Sequence, residues 1–251
     1  MSVVALLVLG LVQGLCEFLP VSSSGHLVLL SRVFGVKDSL FVSIILHVAT
    51  LFAVVVVMRK EIWHLIKHPL SKECVTLALA TISTCVVAII LMPFITSSFD
   101  GSLLPVFFLL SAIILFVVGK KNKSEESITY KRAIFIGLAQ GLAIFPGLSR
   151  SGTTISAGLA SGAGREESSK FSFLISVPII IASLLMEVYK IIVEGVVISV
   201  EPIGMILAFL IAFIVGIISI KLMLKITKKS TFKYFSIYLL IIAIISAIII
   251  W

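Results

Sequence analysis

The sequence predicts an all-α polytopic membrane protein, with about six transmembrane helices and two re-entrant helix pairs arranged as an inverted-topology internal repeat. Three observations carry this reading: long uninterrupted apolar runs, the confinement of Lys and Arg to the connections between them, and a duplicated segment rich in Gly and Ser. Of the 251 residues, 60% are hydrophobic and 13% charged, and the mean hydropathy is +1.26. Such a composition suits a bilayer rather than water. A membrane β-barrel is excluded because its strands alternate apolar and polar residues, whereas these runs are apolar at consecutive positions.

Taken in order, residues 1–35 form an apolar stretch interrupted near its middle by Pro20 and a serine cluster. Phe41 to Met58, Cys74 to Pro93, Leu103 to Gly119, Phe171 to Tyr189, Pro202 to Leu224 and Tyr234 to Trp251 then read as crossings, at roughly 20 apolar residues each. Residues 133–160 form a second interrupted stretch. Basic residues concentrate in Arg59 to Lys72, Lys120 to Arg132 and Lys221 to Lys233, which the positive-inside rule places in the cytoplasm. Ile95 to Ser102 and Lys190 to Glu201 carry little or no basic character and are expected outside.

The net charge of +8 therefore reads as a topology signal, not as a nucleic-acid surface. Cys16, Cys74 and Cys85 form no C-x-x-C pair, so they read as packing residues rather than a disulfide framework or zinc site. The N-terminal stretch lacks a basic leader and contains Glu17, so a cleaved signal peptide is not expected.

The two interrupted stretches align without a gap. GLVQGLCEFLPVSSSGHL from Gly10 and GLAQGLAIFPGLSRSGTT from Gly137 are identical at half of their positions, which marks an internal duplication. One membrane domain spanning 1–251 is expected, with repeat one at about 1–120 and repeat two at about 130–251. Three crossings follow each copy, and an odd number inverts the second unit relative to the first. Re-entrant backbone is tolerated at membrane depth only where protein or a water-filled cavity satisfies it. The two segments are therefore expected to meet near the midplane around a polar site.

The first segment supplies Gln13, Glu17, Ser22, Ser23, Ser24, Gly25 and His26. The second supplies Gly147, Ser149, Arg150, Ser151, Gly152 and Thr154. A charge at the bilayer centre costs about 2.5–3.5 kcal/mol on insertion scales, so Glu17 and Arg150 are expected to pair or to face a cavity. Ser- and Gly-rich turns opening a helix aim N–H groups and a positive dipole end at one point, which suits phosphate. Arg150 adds a planar fork for phosphate oxygens. His47 reads as a packing or hydrogen-bonded core residue in its span, Glu187 as reaching the interface, and His64 and His68 as interfacial residues beside Trp63.

QGLCEFLPVSSSGH and FPGLSRSGTT resemble the two signature segments of the undecaprenyl-diphosphate phosphatase family associated with bacitracin resistance, and the likeness extends over nearly the whole chain. Gln13 and Glu17 match the first signature, and Pro146 to Ser151 the second. The resemblance implies hydrolysis of a polyprenyl diphosphate to its monophosphate in a bacterial cell membrane, recycling the carrier lipid of cell-wall synthesis. It also implies a divalent cation, Mg²⁺ or Ca²⁺, and a site open to the extracytoplasmic side. Glu17, Ser23, His26 and Arg150 are the expected catalytic residues. Gln13, Ser22, Ser24, Gly25, Gly147, Ser149, Ser151, Gly152 and Thr154 are expected to bind the diphosphate.

Three routes stay open for the attack: Ser23, its rival His26, or water. Glu17 could hold a cation through the substrate phosphates or act as general base. The expected partners are the lipid substrate and the bilayer, not nucleic acid, and a homo-oligomer is left open. The alternative function is an inverted-repeat transporter or polyprenyl-phosphate flippase, which shares this architecture. Such a protein would need no nucleophile beside a base.

Overall fold

The structure is a computed structural model describing residues 2–35, 39–95, 101–119, 126–194, 201–228 and 232–251. The helices run in the order α1 (Val3–Cys16), α2 (Ser23–Phe34), α3 (Ser39–Val57), α4 (Arg59–Lys67), α5 (Lys72–Ile95) and α6 (Leu104–Val118). They continue with α7 (Tyr130–Leu142), α8 (Arg150–Ala160), α9 (Arg165–Glu194), α10 (Pro202–Thr227) and α11 (Phe232–Ile250). No strand occurs among the described residues. Parts of four connections read from the sequence, at 96–100, 120–125, 195–200 and 229–231, lie outside them.

Each expected crossing falls on a helix. Lys72–Phe94, Arg165–Val193, Pro202–Thr227 and Phe232–Ile250 are long and apolar enough to cross a membrane. Phe41–Val57 and Arg59–Lys67, bent by 77° at the break between them, make a fifth if counted as one span. α6 has 15 residues, about 22 Å at 1.5 Å per residue and short of the roughly 30 Å hydrocarbon core. It is shorter than its apolar run because Leu103 and Pro105 set its start and Gly119 caps its end.

α1, α2, α7 and α8 have 14, 12, 13 and 11 residues, too few to reach across the same core. They form two hairpins that return to the end they came from. α1 starts beside the first turn of α10, where a Cβ on Gly204 would meet Leu6 and Val3. α2 comes back to that end, with Val28 and Arg32 facing Gly101 just before α6. At the other end, Arg132 Nε in α7 donates to the Ser161 carbonyl at 3.0 Å, closing the second hairpin.

That second end gathers the basic connections. Lys228, after α10, pairs with Glu166 at 2.8 Å, while Lys60, Lys72 and Ser127 line a common cavity there. Trp251 Nε1 donates to the Ser102 carbonyl at 3.0 Å, which joins the C-terminus to the start of α6 at the opposite end. The clustering follows from chain direction, since each crossing between basic connections reverses it.

The hairpins are held by close backbone contact. A Cβ on Gly10 of α1 would lie 2.5 Å from the Ala208 carbonyl oxygen of α10, and one on Gly137 of α7 would overlap the Ala80 carbonyl of α5. Lipid provides no hydrophobic drive between helices, so small residues that let backbones approach carry much of the association. The duplicated residues thus make corresponding contacts. Between the hairpins lies a buried apolar cluster that includes Phe18, Phe108, Ile155 and Phe173, with the Phe18 and Phe173 rings edge to face at 5.7 Å.

Candidate active site at the meeting of two hairpins

The tips of the hairpins touch. Ser151 Oγ donates to the Leu19 carbonyl at 2.9 Å, a Cβ on Gly25 would lie 2.8 Å from Gly147 Cα, and one on Gly152 would lie 3.2 Å from Pro20. Gly147 stands at φ 95, where a side chain would be strained. The alignment pairs Gly25 with Gly152 and Pro20 with Gly147. The contact is therefore reciprocal between the repeats, and its glycines serve close approach.

Each tip opens a helix through a serine cap. Ser22 Oγ accepts from Gly25 N–H at 3.4 Å and Ser149 Oγ from Gly152 N–H at 3.1 Å. Ser149 N–H donates to Ser111 Oγ at 2.9 Å, and Ser111 in turn donates to the Gly147 carbonyl at 3.1 Å, fixing the second tip to α6. The first N–H groups of a helix have no intrahelical partner, and the residues opening α2 and α8 line one cavity of 610 Å³. Two positive helix ends converge there.

Glu17 lies just after α1 and lines the cavity, with 4% of its side chain exposed. Its Oε1 accepts from Arg150 Nη2. Oε2 accepts from Ser23 Oγ at 2.5 Å and from Gln13 Nε2 at 3.1 Å, and lies 3.8 Å from His47 Nε2. Gln13 Nε2 also reaches Thr50 Oγ1 at 3.4 Å. A buried carboxylate without such partners would be too costly to keep ionised. Here an arginine, a hydroxyl and an amide hold it.

The other expected site residues divide by position. Ser22, Ser23, Ser24, Ser149, Arg150 and Ser151 line the cavity. Thr154 Oγ1 is turned to the Arg150 carbonyl at 2.9 Å and to Ser172 Oγ at 2.6 Å, bracing α8 from behind. His26 stands behind the first tip, its ring stacked on Tyr238 at 5.7 Å and edge-on to Phe108 at 5.3 Å. His26 Nδ1 donates to the Ser22 carbonyl at 2.7 Å, which leaves Nε2 to accept from the Tyr238 hydroxyl at 2.8 Å. Both nitrogens are engaged. The bond holds Ser22 at φ 67, an uncommon backbone state for a residue with a side chain.

His47, Gln140 and Glu187 also line the cavity. His47 Nδ1 donates to the Ser43 carbonyl at 2.8 Å, which turns Nε2 toward Glu17. The sequence reading of His47 as a packing or hydrogen-bonded core residue did not place it beside Glu17, although Ser43, His47 and Thr50 fall four and three residues apart, one polar stripe along an apolar helix. Tyr238 gives no local signal, since it reaches His26 from 212 residues away.

Comparison with known proteins supplies the family. The family described as "Bacitracin resistance protein BacA" matches residues 6–245. An undecaprenyl-diphosphatase of Carboxydothermus hydrogenoformans is 42% identical over 186 residues, covering 72% of this chain and 71% of the relative. That of Thermosipho melanesiensis is 41% identical over 202 residues, covering 77% and 81%. That of Treponema denticola is 38% identical over 231 residues, covering 84% and 85%. A match over nearly the whole chain, on a fold whose two duplicated tips build one polar cavity, makes this protein a member of the bacitracin resistance (BacA) family.

Proposed function

We propose that the protein hydrolyses undecaprenyl diphosphate to undecaprenyl phosphate and inorganic phosphate, returning the carrier lipid to cell-wall synthesis. The single observation that carries the mechanism is the 2.5 Å hydrogen bond from Ser23 Oγ to Glu17 Oε2, at the mouth of two helix N-termini. A hydroxyl bonded to a carboxylate is an activated nucleophile. Ser23 Oγ attacks the terminal phosphorus while Glu17 takes its proton, and the bond to the bridging oxygen breaks. Undecaprenyl phosphate leaves with that oxygen. Water then attacks the phosphoserine with Glu17 as base, releasing phosphate and restoring the serine hydroxyl.

Arg150 and the N–H groups opening α2 and α8 offset charge on the transferring phosphoryl oxygens. Arg150 pairs with Glu17 in the free site and has donors to share with substrate. His47 Nε2 is placed to exchange a proton with Glu17 between the two steps. His26 acts through Ser22, holding the turn that aims Ser23.

The residues fit a divalent cation, Mg²⁺ or Ca²⁺, that arrives with the substrate phosphates rather than one held in a protein cage. Among the described residues no group of three or more His, Cys, Asp or Glu could hold a metal ion. Gln13 Oε1, beside Glu17, is buried without a hydrogen-bond partner, and the cavity itself is lined by Glu17, Ser22 and Ser24, whose oxygens are the hard donors such ions prefer. When bound, the cation would neutralise phosphate charge. The basic end of the bundle is assigned to the cytoplasm, so the first hairpin enters from the extracytoplasmic side.

The test is phosphate release from a polyprenyl diphosphate by the detergent-purified protein with divalent cation present. Wild type should release phosphate, while Glu17→Ala, Ser23→Ala and Arg150→Ala should each fall by at least about a hundredfold. No release by wild type would overturn the phosphatase reading. Variants equal to wild type would overturn the mechanism.

A further inference from the structure

A second cavity, of 440 Å³, opens at the basic end of the bundle between α4, α5 and α9, well apart in the chain from the hairpin tips. Its rim carries three lysines, Lys60, Lys72 and Lys170, and three carboxylates, Glu61, Glu73 and Glu167. Lys170 pairs with Glu166 at 3.0 Å. Among the described residues no direct ion pair engages Lys60, Glu61, Lys72, Glu73 or Glu167, although the charges of Glu61 and Glu167 favour the nearby Lys170 ammonium. The deeper wall is apolar, formed by Leu65, Leu77, Phe171 and Leu174.

The surroundings put this cavity at the membrane surface. α5 is a span of which only 17% is buried inside the protein, so most of its flank faces lipid. α4 turns away from α3 by 77° and so runs along the surface instead of onward through it. Its Trp63 and Ile66 are exposed, and Lys67 Nζ lies 5.2 Å from the Trp63 ring centroid. Aromatic and basic residues in that pairing suit the headgroup level of a bilayer.

The geometry points to a binding site for one zwitterionic phospholipid of the ethanolamine type, its phosphate on the lysines, its primary ammonium on the carboxylates and an acyl chain along the apolar wall. A molecule with a lone negative charge would meet three carboxylates, and a lone cation three lysines. A ligand carrying both charges complements the rim, and a hydrocarbon tail complements the wall. A primary ammonium donates hydrogen bonds to carboxylates, whereas a quaternary amine has no N–H to give. The inference rests on the fold and not on the phosphatase reading.

Native mass spectrometry of the delipidated full-length protein in detergent tests it. Titration uses phosphatidylethanolamine, phosphatidylcholine and phosphatidylglycerol of identical acyl chains, with soluble phosphoethanolamine as the tail-free probe. Phosphatidylethanolamine should bind at least about tenfold more tightly than the other three probes. The Glu61→Gln/Glu73→Gln double variant should lose the preference over phosphatidylcholine, and Lys60→Ala/Lys72→Ala should weaken phosphatidylethanolamine about tenfold. Phosphate release by both doubles should stay within about twofold of wild type, which shows an intact fold. Equal binding of the three lipids, tighter binding of phosphatidylglycerol, equal binding of phosphoethanolamine, or variants that bind as wild type does would each overturn the proposal.

Discussion

Replacing Glu17 by Gln keeps the shape of the side chain and a neutral acceptor for Arg150, but removes the charge that can take the Ser23 proton. Turnover should drop by about 10²- to 10⁴-fold while the protein still purifies folded, a comparison of phosphate release with thermal unfolding in detergent. His26 makes a contrasting case. His26→Ala leaves the Ser22 carbonyl without its 2.7 Å donor, a loss of about 1–3 kcal/mol for a buried acceptor, or roughly 5- to 160-fold in rate if it is felt in the transition state. His26→Asn puts an amide donor near the position of Nδ1 and should recover most of that loss. Tyr238→Phe, which removes one neutral hydrogen bond, should cost less than about tenfold. If His26→Asn proves as dead as Ser23→Ala in the phosphate assay, His26 is itself the attacking group and the positioning role is lost.

At the level of the helices, the same device appears twice. Gly10 lets α1 meet α10 at Ala208, and Gly137 lets α7 meet α5 at Ala80, so each hairpin hangs on one span of the other repeat. A valine at either glycine must push two backbones apart, which costs about 1–3 kcal/mol as overpacking does in a dense interior. Gly10→Val and Gly137→Val should both lower the thermal unfolding midpoint, and both should reduce phosphate release because the tips they carry separate. By contrast, Gly35 has nothing near the position of an added Cβ. Gly35→Ala should leave phosphate release within about twofold of wild type and lower stability only by the strain of its φ of 61. A valine at Gly10 or Gly137 that unfolds at the wild-type temperature would show that the close contact is dispensable.

For the molecule as a whole, orientation is the property with the sharpest consequence. With the basic end in the cytoplasm, a cysteine at Lys131 in a cysteine-free background should react with a membrane-impermeant maleimide only after the cells are permeabilised. A cysteine at Trp251, which is 75% exposed at the opposite end, should react in intact cells. Labelling with the reverse pattern would place the first hairpin, and the opening of the catalytic cavity, on the cytoplasmic side.

Much of this protein can be read from its sequence. Its membrane class follows from apolar runs that water would not tolerate, and its two hairpins from a duplication interrupted by Pro, Gly and Ser. The pairing of Glu17 with Arg150 was expected because two lone charges at membrane depth need each other or water. The crossing at Leu104–Val118 was less legible, since hydropathy counts apolar residues without seeing where Pro105 and Gly119 bound the helix. Local sequence could not place His26 and His47. Both are single histidines among apolar neighbours, and chemistry at one residue does not reveal the direction in which a side chain points. Three-dimensional packing turns His26 back against Ser22 and Tyr238, and brings His47 to the Glu17 cavity. Composition, charge distribution and repetition are properties of the chain alone, so the sequence determined the fold class and the residues that meet. How Arg150 reaches Glu17 depends on hairpins brought together from 133 residues apart, and how Ser23 stands against Glu17 on the turn within the first hairpin; only the tertiary structure decided those geometries.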